Sequence, residues 1–234
     1  MYSRLARNPV VLAAIFAVYY ALGTLGLAIG GPLSITNAFW PPSGFALAAM
    51  VVLGPGVWPA IFAAAALIYA TSTGEVGTSL TLAIGSTLEA LAGAVLIDRF
   101  AGGLSVLRTA NTAFMFATIT ALGATPISAT LAALTLSFSG STPVEGFTYV
   151  WTTWWLSHLT GIVVLAPFAL LWATTSLGRV RIVEVLEGIA LYALLAGVCL
   201  VVFGGWFPGD VKNYPLEFLC VPFLLWAAFR FGRR

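Results

Sequence analysis

Two ionisable side chains, Glu89 and His158, lie deep within long apolar stretches of the sequence. A charge at the centre of an apolar membrane helix costs about 2.5–3.5 kcal/mol on insertion scales, so such a residue usually has a partner or a function. At roughly 1.5 Å per residue, His158 lies about 18 Å along its helix, and Glu89 is at a similar depth in its own segment. The two groups are therefore expected to be able to pair. Each also has a structural interpretation, Glu89 as an acid bonded to hydroxyls at a helix interface and His158 as a neutral core ring.

Three tryptophans precede His158 on the same predicted helix, at Trp151, Trp154 and Trp155. With the histidine they are spaced i, i+3, i+4 and i+7, which places all four side chains on one helix face. Indole rings offer stacking surfaces and N–H donors, so this stripe is expected to line an outward-facing or midplane pocket. The alternative is that the tryptophans belong to the aromatic belt of the outer membrane interface.

The stretch before the second apolar segment contains further candidate residues. Trp40 is followed by Pro41 and Pro42, which either begin a helix, since first-turn N–H groups have no helical partner, or gate a pocket. Glu217 lies near the same predicted face as Trp40. The predicted ligand-binding residues are Asn37, Trp40, Pro41, Pro42, Glu89, Trp151, Trp154, Trp155, His158 and Glu217.

The inventory of side chains that could carry catalysis is small. One histidine and two cysteines cannot form a zinc site of familiar spacing. Ser157 is adjacent to His158, but neighbouring residues on a helix point in different directions. We therefore expect no enzymatic activity, no metal and no cofactor. Cys199 and Cys220 fall at similar depth on adjacent segments, so a disulfide is geometrically conceivable, although free buried thiols are the favoured interpretation.

The composition determines the class of protein that positions these residues. Hydrophobic residues make up 60% of the chain, charged residues 8%, and the mean hydropathy is +1.01, whereas soluble domains carry roughly 25% charge. The 234 residues predict an all-α polytopic transmembrane bundle of about eight spans. The spans are expected near residues 10–30, 43–53, 57–71, 78–97, 111–138, 146–173, 183–203 and 214–229. The longest of them, 111–138, is expected to tilt or break near Thr125 and Pro126.

The basic residues predict the orientation of the bundle. If eight spans alternate in direction, nine of the ten basic residues fall on one side, namely Arg4, Arg7, Arg99, Arg108, Arg179, Arg181, Arg230, Arg233 and Arg234. The exception, Lys212, shares the other side with Glu75, Glu145 and Asp210. Because cytoplasmic loops carry the excess of Lys and Arg, both termini are predicted to be cytoplasmic.

Several short motifs follow one another in the order found in a known family. They are 39–48 (FWPPSGFALA), 57–59 (VWP), 86–94 (STLEALAGA), 154–156 (WWL) with Gly161 and 166–167 (AP), and Trp226 with 230–232 (RFG). This series resembles the membrane-associated sensor domain family of the first type (MASE, type one) over nearly the whole chain. The resemblance implies a single integral membrane sensor domain over residues 1–234, located in the bacterial inner membrane. Relatives usually continue into an output domain, which this sequence is expected to lack. Relatives commonly carry Gly-Asp where Ser157 and His158 stand here, so the role of that aspartate does not transfer.

We predict a sensory input domain that binds a ligand and thereby favours one of two helix arrangements. The expected partners are the lipid bilayer, an unknown small-molecule ligand or membrane partner protein, and a cytoplasmic histidine kinase or cyclic-di-GMP output domain. A second copy of the chain is a candidate partner in a homodimer, and no nucleic acid is expected. The alternative is a small transporter or its substrate-binding subunit, with Glu89 and His158 near the midplane. A third hypothesis, an intramembrane transferase or hydrolase, lacks a set of catalytic residues.

The predicted topology is tested with reporter fusions along the chain. Fusions after Glu75, Glu145 and Asp210 should report the outside, and fusions after Arg99 and Arg179 should report the cytoplasm, because the arginines mark the inner side. A reversed result at any two of these five sites would disprove the orientation.

Overall fold

The regular elements of the described chain are helices. The computed structural model describes residues 6, 8–30, 39–140, 146–174, 181–203 and 219–231, and no strand occurs in these ranges. The helices are α1 (Pro9–Gly30), α2 (Pro41–Leu53), α3 (Trp58–Thr73), α4 (Val76–Phe100), α5 (Ala110–Ile119), α6 (Thr125–Phe138), α7 (Phe147–Thr174), α8 (Ile182–Phe203) and α9 (Val221–Phe231). Short 3₁₀ turns occupy Pro55–Val57 and Gly103–Ser105, and a π-helical segment at Thr120–Ala124 joins α5 to α6.

The prediction of an all-α membrane bundle is confirmed. In the described ranges, six helical segments are long and apolar enough to cross a membrane. One of them is the continuous segment of 29 residues formed by α5, the π-helical segment and α6. The predicted number of about eight is close to this count, and the difference lies in two short helices, α2 with 13 residues and α9 with 11. Residues 214–218, where the last span was expected to begin, lie outside the described residues.

The chain divides into two compact units. The first, Met1–Thr174, contains α1 to α7, and the second, Thr175–Arg234, contains α8 and α9. In the first unit α2 packs chiefly against α7 and α4, while α4 also packs against α3 and α6. The helices α2, α4 and α7 therefore form the centre of the first unit.

The short helix α2 begins inside the first unit rather than at its surface. The backbone N–H of Trp40, just before α2, donates to the carbonyl oxygen of Ser157 in the middle of α7, at 3.1 Å. A buried helix start normally leaves several N–H groups unsatisfied. Pro41 and Pro42 have no N–H to satisfy, and the Ser43 N–H donates to the Trp40 carbonyl at 3.3 Å. The two prolines thus allow a helix to start within an apolar bundle.

Two glycines bring the backbones of α2 and α7 into direct contact. A Cβ atom added to Gly44 would overlap the carbonyl oxygen of Gly161, and one added to Gly161 would overlap the carbonyl oxygen of Trp40. Small residues of this kind permit close helix approach in membranes, where van der Waals packing drives association. The hydroxyl of Ser43 donates to the carbonyl of His158 at 2.9 Å and strengthens the same contact.

The predicted break near Thr125 and Pro126 is confirmed as the π-helical segment Thr120–Ala124 that ends there. The Thr125 hydroxyl donates to the carbonyl of Thr120 at 3.0 Å. Pro126 supplies no N–H to the preceding turn, so a carbonyl in this segment needs another donor. Pi-helical turns interrupt the normal hydrogen-bond pattern in this way and are frequent at functional sites.

The contact between α2 and α7 leads to a prediction for Gly44→Ala. The added methyl group must displace the backbone of α7, so we expect the substitution to lower the free energy of unfolding by about 1–3 kcal/mol. The matched control is Gly77→Ala near the start of α4, where an added Cβ meets no atom within 4 Å. Thermal unfolding in detergent should show a lower Tm for Gly44→Ala only. An equal Tm for the two variants would contradict the described contact.

Candidate functional site

Glu89 of α4 and His158 of α7 form a hydrogen-bonded pair in the interior of the first unit. The Nδ1 atom of His158 lies 3.0 Å from Oε1 and 2.9 Å from Oε2 of Glu89. Their relative exposures are 1% for Glu89 and 2% for His158. The predicted pairing is therefore confirmed. A hydrogen bond at these distances requires a proton either on Nδ1, facing a carboxylate, or on the carboxyl, facing an unprotonated Nδ1.

Four aromatic rings form a closed cycle next to the pair. We call Trp40, Tyr69, Trp154 and His158 the aromatic cycle. The His158 ring stacks on Trp154 with centroids 5.3 Å apart and on Trp40 with centroids 6.3 Å apart. Tyr69 completes the cycle, 6.0 Å from Trp40 and 5.9 Å from Trp154. Centroid separations of this size are those of favourable aromatic pairs. The cycle joins α3 and α7 to the residue that precedes α2.

Several hydroxyl and N–H donors converge beside the aromatic cycle. The hydroxyls of Tyr69 and Ser86 are hydrogen-bonded at 2.9 Å. The Tyr19 hydroxyl of α1 lies next to Ser86 and the Trp40 indole, with the Glu89 carboxyl nearby. Within the described part of the chain, neither the Tyr19 hydroxyl nor the Trp40 indole N–H makes a well-aligned hydrogen bond, although the two lie near each other, and both are buried. Buried polar groups of proteins are nearly always paired, so these two donors are suited to an ordered water or a ligand with acceptor atoms.

The tryptophan stripe of α7 divides into two stacks instead of forming one wall. Trp154 belongs to the aromatic cycle, whereas Trp151 and Trp155 stack on each other with centroids 5.9 Å apart. Those two rings are only half-buried. Helical spacing placed all four residues on one broad face correctly, but it could not show that this face contacts two different neighbours.

The indole N–H groups of the stripe all donate to the segment that contains α5 and α6. Trp155 donates to the carbonyl of Ala121 at 2.8 Å. In a π-helical pattern this carbonyl would accept the N–H of residue 126, which is Pro126, so Trp155 supplies the missing donor. Trp154 donates to the Ser128 hydroxyl at 3.0 Å, and Trp151 donates to the Thr130 hydroxyl at 3.0 Å. The tryptophans therefore have a structural role that the sequence did not predict.

The structure brings together six of the ten predicted site residues. Glu89, His158, Trp154 and Trp40 meet in or beside the aromatic cycle. Pro41 and Pro42 lie beside it as the first turn of α2, which supports their interpretation as a helix start. Trp151 and Trp155 lie in the second stack. Asn37 and Glu217 lie outside the described residues.

Sequence reasoning missed Tyr19 and Tyr69. Both are fully or almost fully buried, with exposures of 0% and 5%. A tyrosine combines a large apolar ring with a hydroxyl that usually needs a partner when buried. Tyr19 lies in the middle of the first apolar segment, far from either predicted membrane interface. A polar hydroxyl at that depth is the feature of the sequence that could have marked Tyr19 as a site residue.

A separate cavity lies at the other end of α2 and α7. Its volume is about 300 Å³ and it is open on one side; its lining residues are Val52, Leu104, Ser105, Arg108, Ala173 and Thr174. Thr174 is sixteen residues from His158 along α7, which corresponds to about 24 Å of helix. None of the predicted site residues lines this cavity.

The fold and the site together define a class of protein: a membrane-embedded helical domain with a buried ionisable pair inside its first unit. The chain belongs to the MASE1 family of membrane-associated sensory domains, whose family model matches residues 10–234. No curated protein and no solved structure matches the chain.

The buried pair leads to a prediction for a double-mutant cycle of Glu89→Gln and His158→Gln. Each single substitution leaves a buried polar group with a poorer partner, so we expect each to cost about 1–3 kcal/mol of unfolding free energy. The double variant should cost less than the sum, with a coupling free energy of about 0.5–3 kcal/mol. Thermal and denaturant unfolding in detergent measure the three variants.

A control cycle combines Glu89→Gln with Trp172→Phe. Trp172 is exposed and lies fourteen residues from His158 along α7, so these two changes should add within about 0.5 kcal/mol. Additivity in the first cycle as well would show that the Glu89–His158 contact carries no coupling energy.

Proposed function

We propose that this chain is the sensory input domain of a bacterial inner-membrane signalling protein, and that it detects a small molecule at the aromatic cycle. The observation that carries the proposal is the pair of buried donors without a well-aligned hydrogen bond, Tyr19 and Trp40, beside the Glu89–His158 pair. Membership of a membrane sensory family supports the general role. The output is a cytoplasmic histidine kinase or a domain that makes or degrades cyclic-di-GMP.

The surroundings of the two donors define the chemistry of the ligand. The Tyr19 hydroxyl and the Trp40 N–H both require an acceptor atom on the ligand. The Glu89 carboxyl lies near this point, so an anion would be repelled whenever that group is ionised. Aromatic rings form the adjacent walls and favour a flat, largely apolar molecule. We therefore expect a small neutral ligand with carbonyl, hydroxyl or ether oxygens.

Burial argues for a small molecule rather than a protein partner at this point. Tyr19 and Trp40 are at most 5% exposed, so a macromolecular surface cannot reach their donor atoms. Trp40 stands before the first turn of α2. Its ring can therefore move without unwinding α2, and such a movement would admit a ligand.

The contact between α2 and α7 supplies a route for the signal. Trp40 packs against His158, and Ser43 donates to the His158 carbonyl, so a ligand seated between Trp40 and His158 changes the contact between the two helices and favours a shift of α2 along α7. Gly44 and Gly161 leave no side chain between the two backbones to absorb this shift. From the aromatic cycle, α7 runs to Thr174 on the predicted cytoplasmic side. The ligand needs only a higher affinity for one of the two helix arrangements.

Tyr19→Phe and Tyr20→Phe form a matched pair of variants that tests this proposal. Tyr20 is half-buried and stacks on Phe16, whereas Tyr19 presents its hydroxyl to the aromatic cycle. The chain is joined to a diguanylate cyclase domain, and cyclic-di-GMP is measured in cells grown on a panel of media. Tyr19→Phe removes a buried hydroxyl that makes no well-aligned hydrogen bond in the protein, so it should leave the Tm nearly unchanged but alter how the output varies among media.

Tyr20→Phe should match the parent in both measurements. If Tyr19→Phe follows the parent in every medium in which the parent's output varies, the ligand site is not at the aromatic cycle. Uptake of a labelled solute by vesicles containing the chain alone would instead support the transporter alternative.

A further inference from the structure

We propose that Cys199 and Cys220 form a reversible intramolecular disulfide that fastens the start of α9 to the end of α8 in response to the redox state outside the membrane. The two sulfur atoms lie 3.7 Å apart, and both residues are free thiols that are partly exposed. This site lies within the second unit and is independent of the ligand proposed above.

The positions of the two cysteines suit such a bond. Cys199 is in the last two turns of α8, and Cys220 immediately precedes α9, so the bond would close the connection between the two helices. Rotation about the side-chain bonds is enough to bring sulfur atoms from van der Waals contact to bonding distance when the backbones are already close. Free buried thiols were the favoured interpretation of the sequence, because spacing along the chain does not reveal that the two sulfur atoms touch.

A second contact at the other end of the helix pair shows that α8 and α9 are held side by side. The guanidinium Nε of Arg230 donates to both carboxylate oxygens of Glu187, at 2.8 and 2.9 Å. The Trp226 indole donates to the same carboxylate at 3.3 Å. Twelve residues separate Glu187 from Cys199, and ten separate Cys220 from Arg230. The antiparallel pair is therefore fixed near both ends, by an ion pair at one end and by the two thiols at the other.

The predicted topology places the two ends in different compartments. Arg230 and Arg181 lie on the predicted cytoplasmic side, so the cysteines lie toward the outside. Disulfides form and persist in the oxidising bacterial periplasm and are rare in the cytosol. Only the thiol end of the pair is thus exposed to an oxidising environment.

The bond forms by thiol–disulfide exchange with a disulfide-bearing oxidant, such as oxidised glutathione or a periplasmic oxidoreductase. One cysteine thiolate attacks a sulfur of the oxidant, which forms a mixed disulfide and releases the first oxidant thiolate. The second cysteine thiolate then attacks the cysteine sulfur of the mixed disulfide and releases the second. Two protein thiols are oxidised, one oxidant disulfide is reduced to two thiols, and the two protons pass to the products.

The test uses the full chain in membranes incubated with glutathione buffers of graded redox potential. Free thiols are trapped with a maleimide of known mass, and digested chains are analysed by mass spectrometry. In reducing buffer each chain should carry two adducts. In oxidising buffer it should carry none and should yield one linked peptide joining Cys199 to Cys220. The oxidised chain should also show a higher Tm than the reduced chain, because the bond constrains the unfolded state.

Cys199→Ser and Cys220→Ser serve as controls. In oxidising buffer the remaining cysteine of each should carry one glutathione as a mixed disulfide and yield no linked peptide, and neither variant should show the higher Tm of the oxidised parent. Two adducts per chain across all buffers would overturn the proposal, as would a linkage found only between different chains. A disulfide that no glutathione buffer reduces would be a permanent structural bond, and this result would refute the proposed redox response.

Discussion

The hydrogen bond between Glu89 and His158 is the interaction on which the first unit depends. A carboxyl and an imidazole in an apolar bundle are each costly alone, and removing one partner of such a pair leaves the other unsatisfied. Both oxygens of Glu89 lie within 3.0 Å of the same ring nitrogen, which links α4 to α7 across the interior of the first unit. The same stretch of α7 carries Trp154 and the carbonyls to which Trp40 and Ser43 bind. The buried pair and the start of α2 therefore share one part of α7.

Most other buried polar side chains of the described residues find a partner inside the protein, because lipid offers none. Two prolines remove N–H groups from the buried start of α2, and Trp155 supplies the donor that Pro126 lacks. Against this background the unpartnered donors of Tyr19 and Trp40 stand out. The Ser137 hydroxyl of α6 is a third such group in the described residues, so the lack of a partner alone does not mark a ligand position. The aromatic cycle is proposed as that position because two of the three groups lie near each other there, beside the Glu89–His158 pair.

The sequence was sufficient to predict the pair but not its surroundings. The depth of a residue in the membrane follows from the number of residues between it and the end of its helix. Glu89 and His158 could therefore be placed at the same membrane depth from their sequence positions alone. For the tryptophan stripe, the sequence predicted only the helix face on which the rings lie, because spacing does not show which neighbouring helix each ring contacts. A helix start at Pro41 has the same sequence whether it lies at the surface or inside a bundle, so its burial could not be predicted. Tyr69 lies four residues from the end of α3, where a tyrosine is equally typical of the membrane interface.

The energetics of the pair also explain how a modest ligand could change the helix arrangement. A buried ion pair contributes little net stability, because desolvation offsets most of the attraction, although breaking it without compensation is costly. A ligand or water that offers hydrogen bonds to the separated groups removes that cost. The paired and separated arrangements then differ by a free energy comparable to the binding of a small molecule. A fully apolar core would lack this property, because no small ligand could replace its packing. Under the proposed function, the polar centre would make the first unit responsive, and the glycine contact between α2 and α7 would transmit the response.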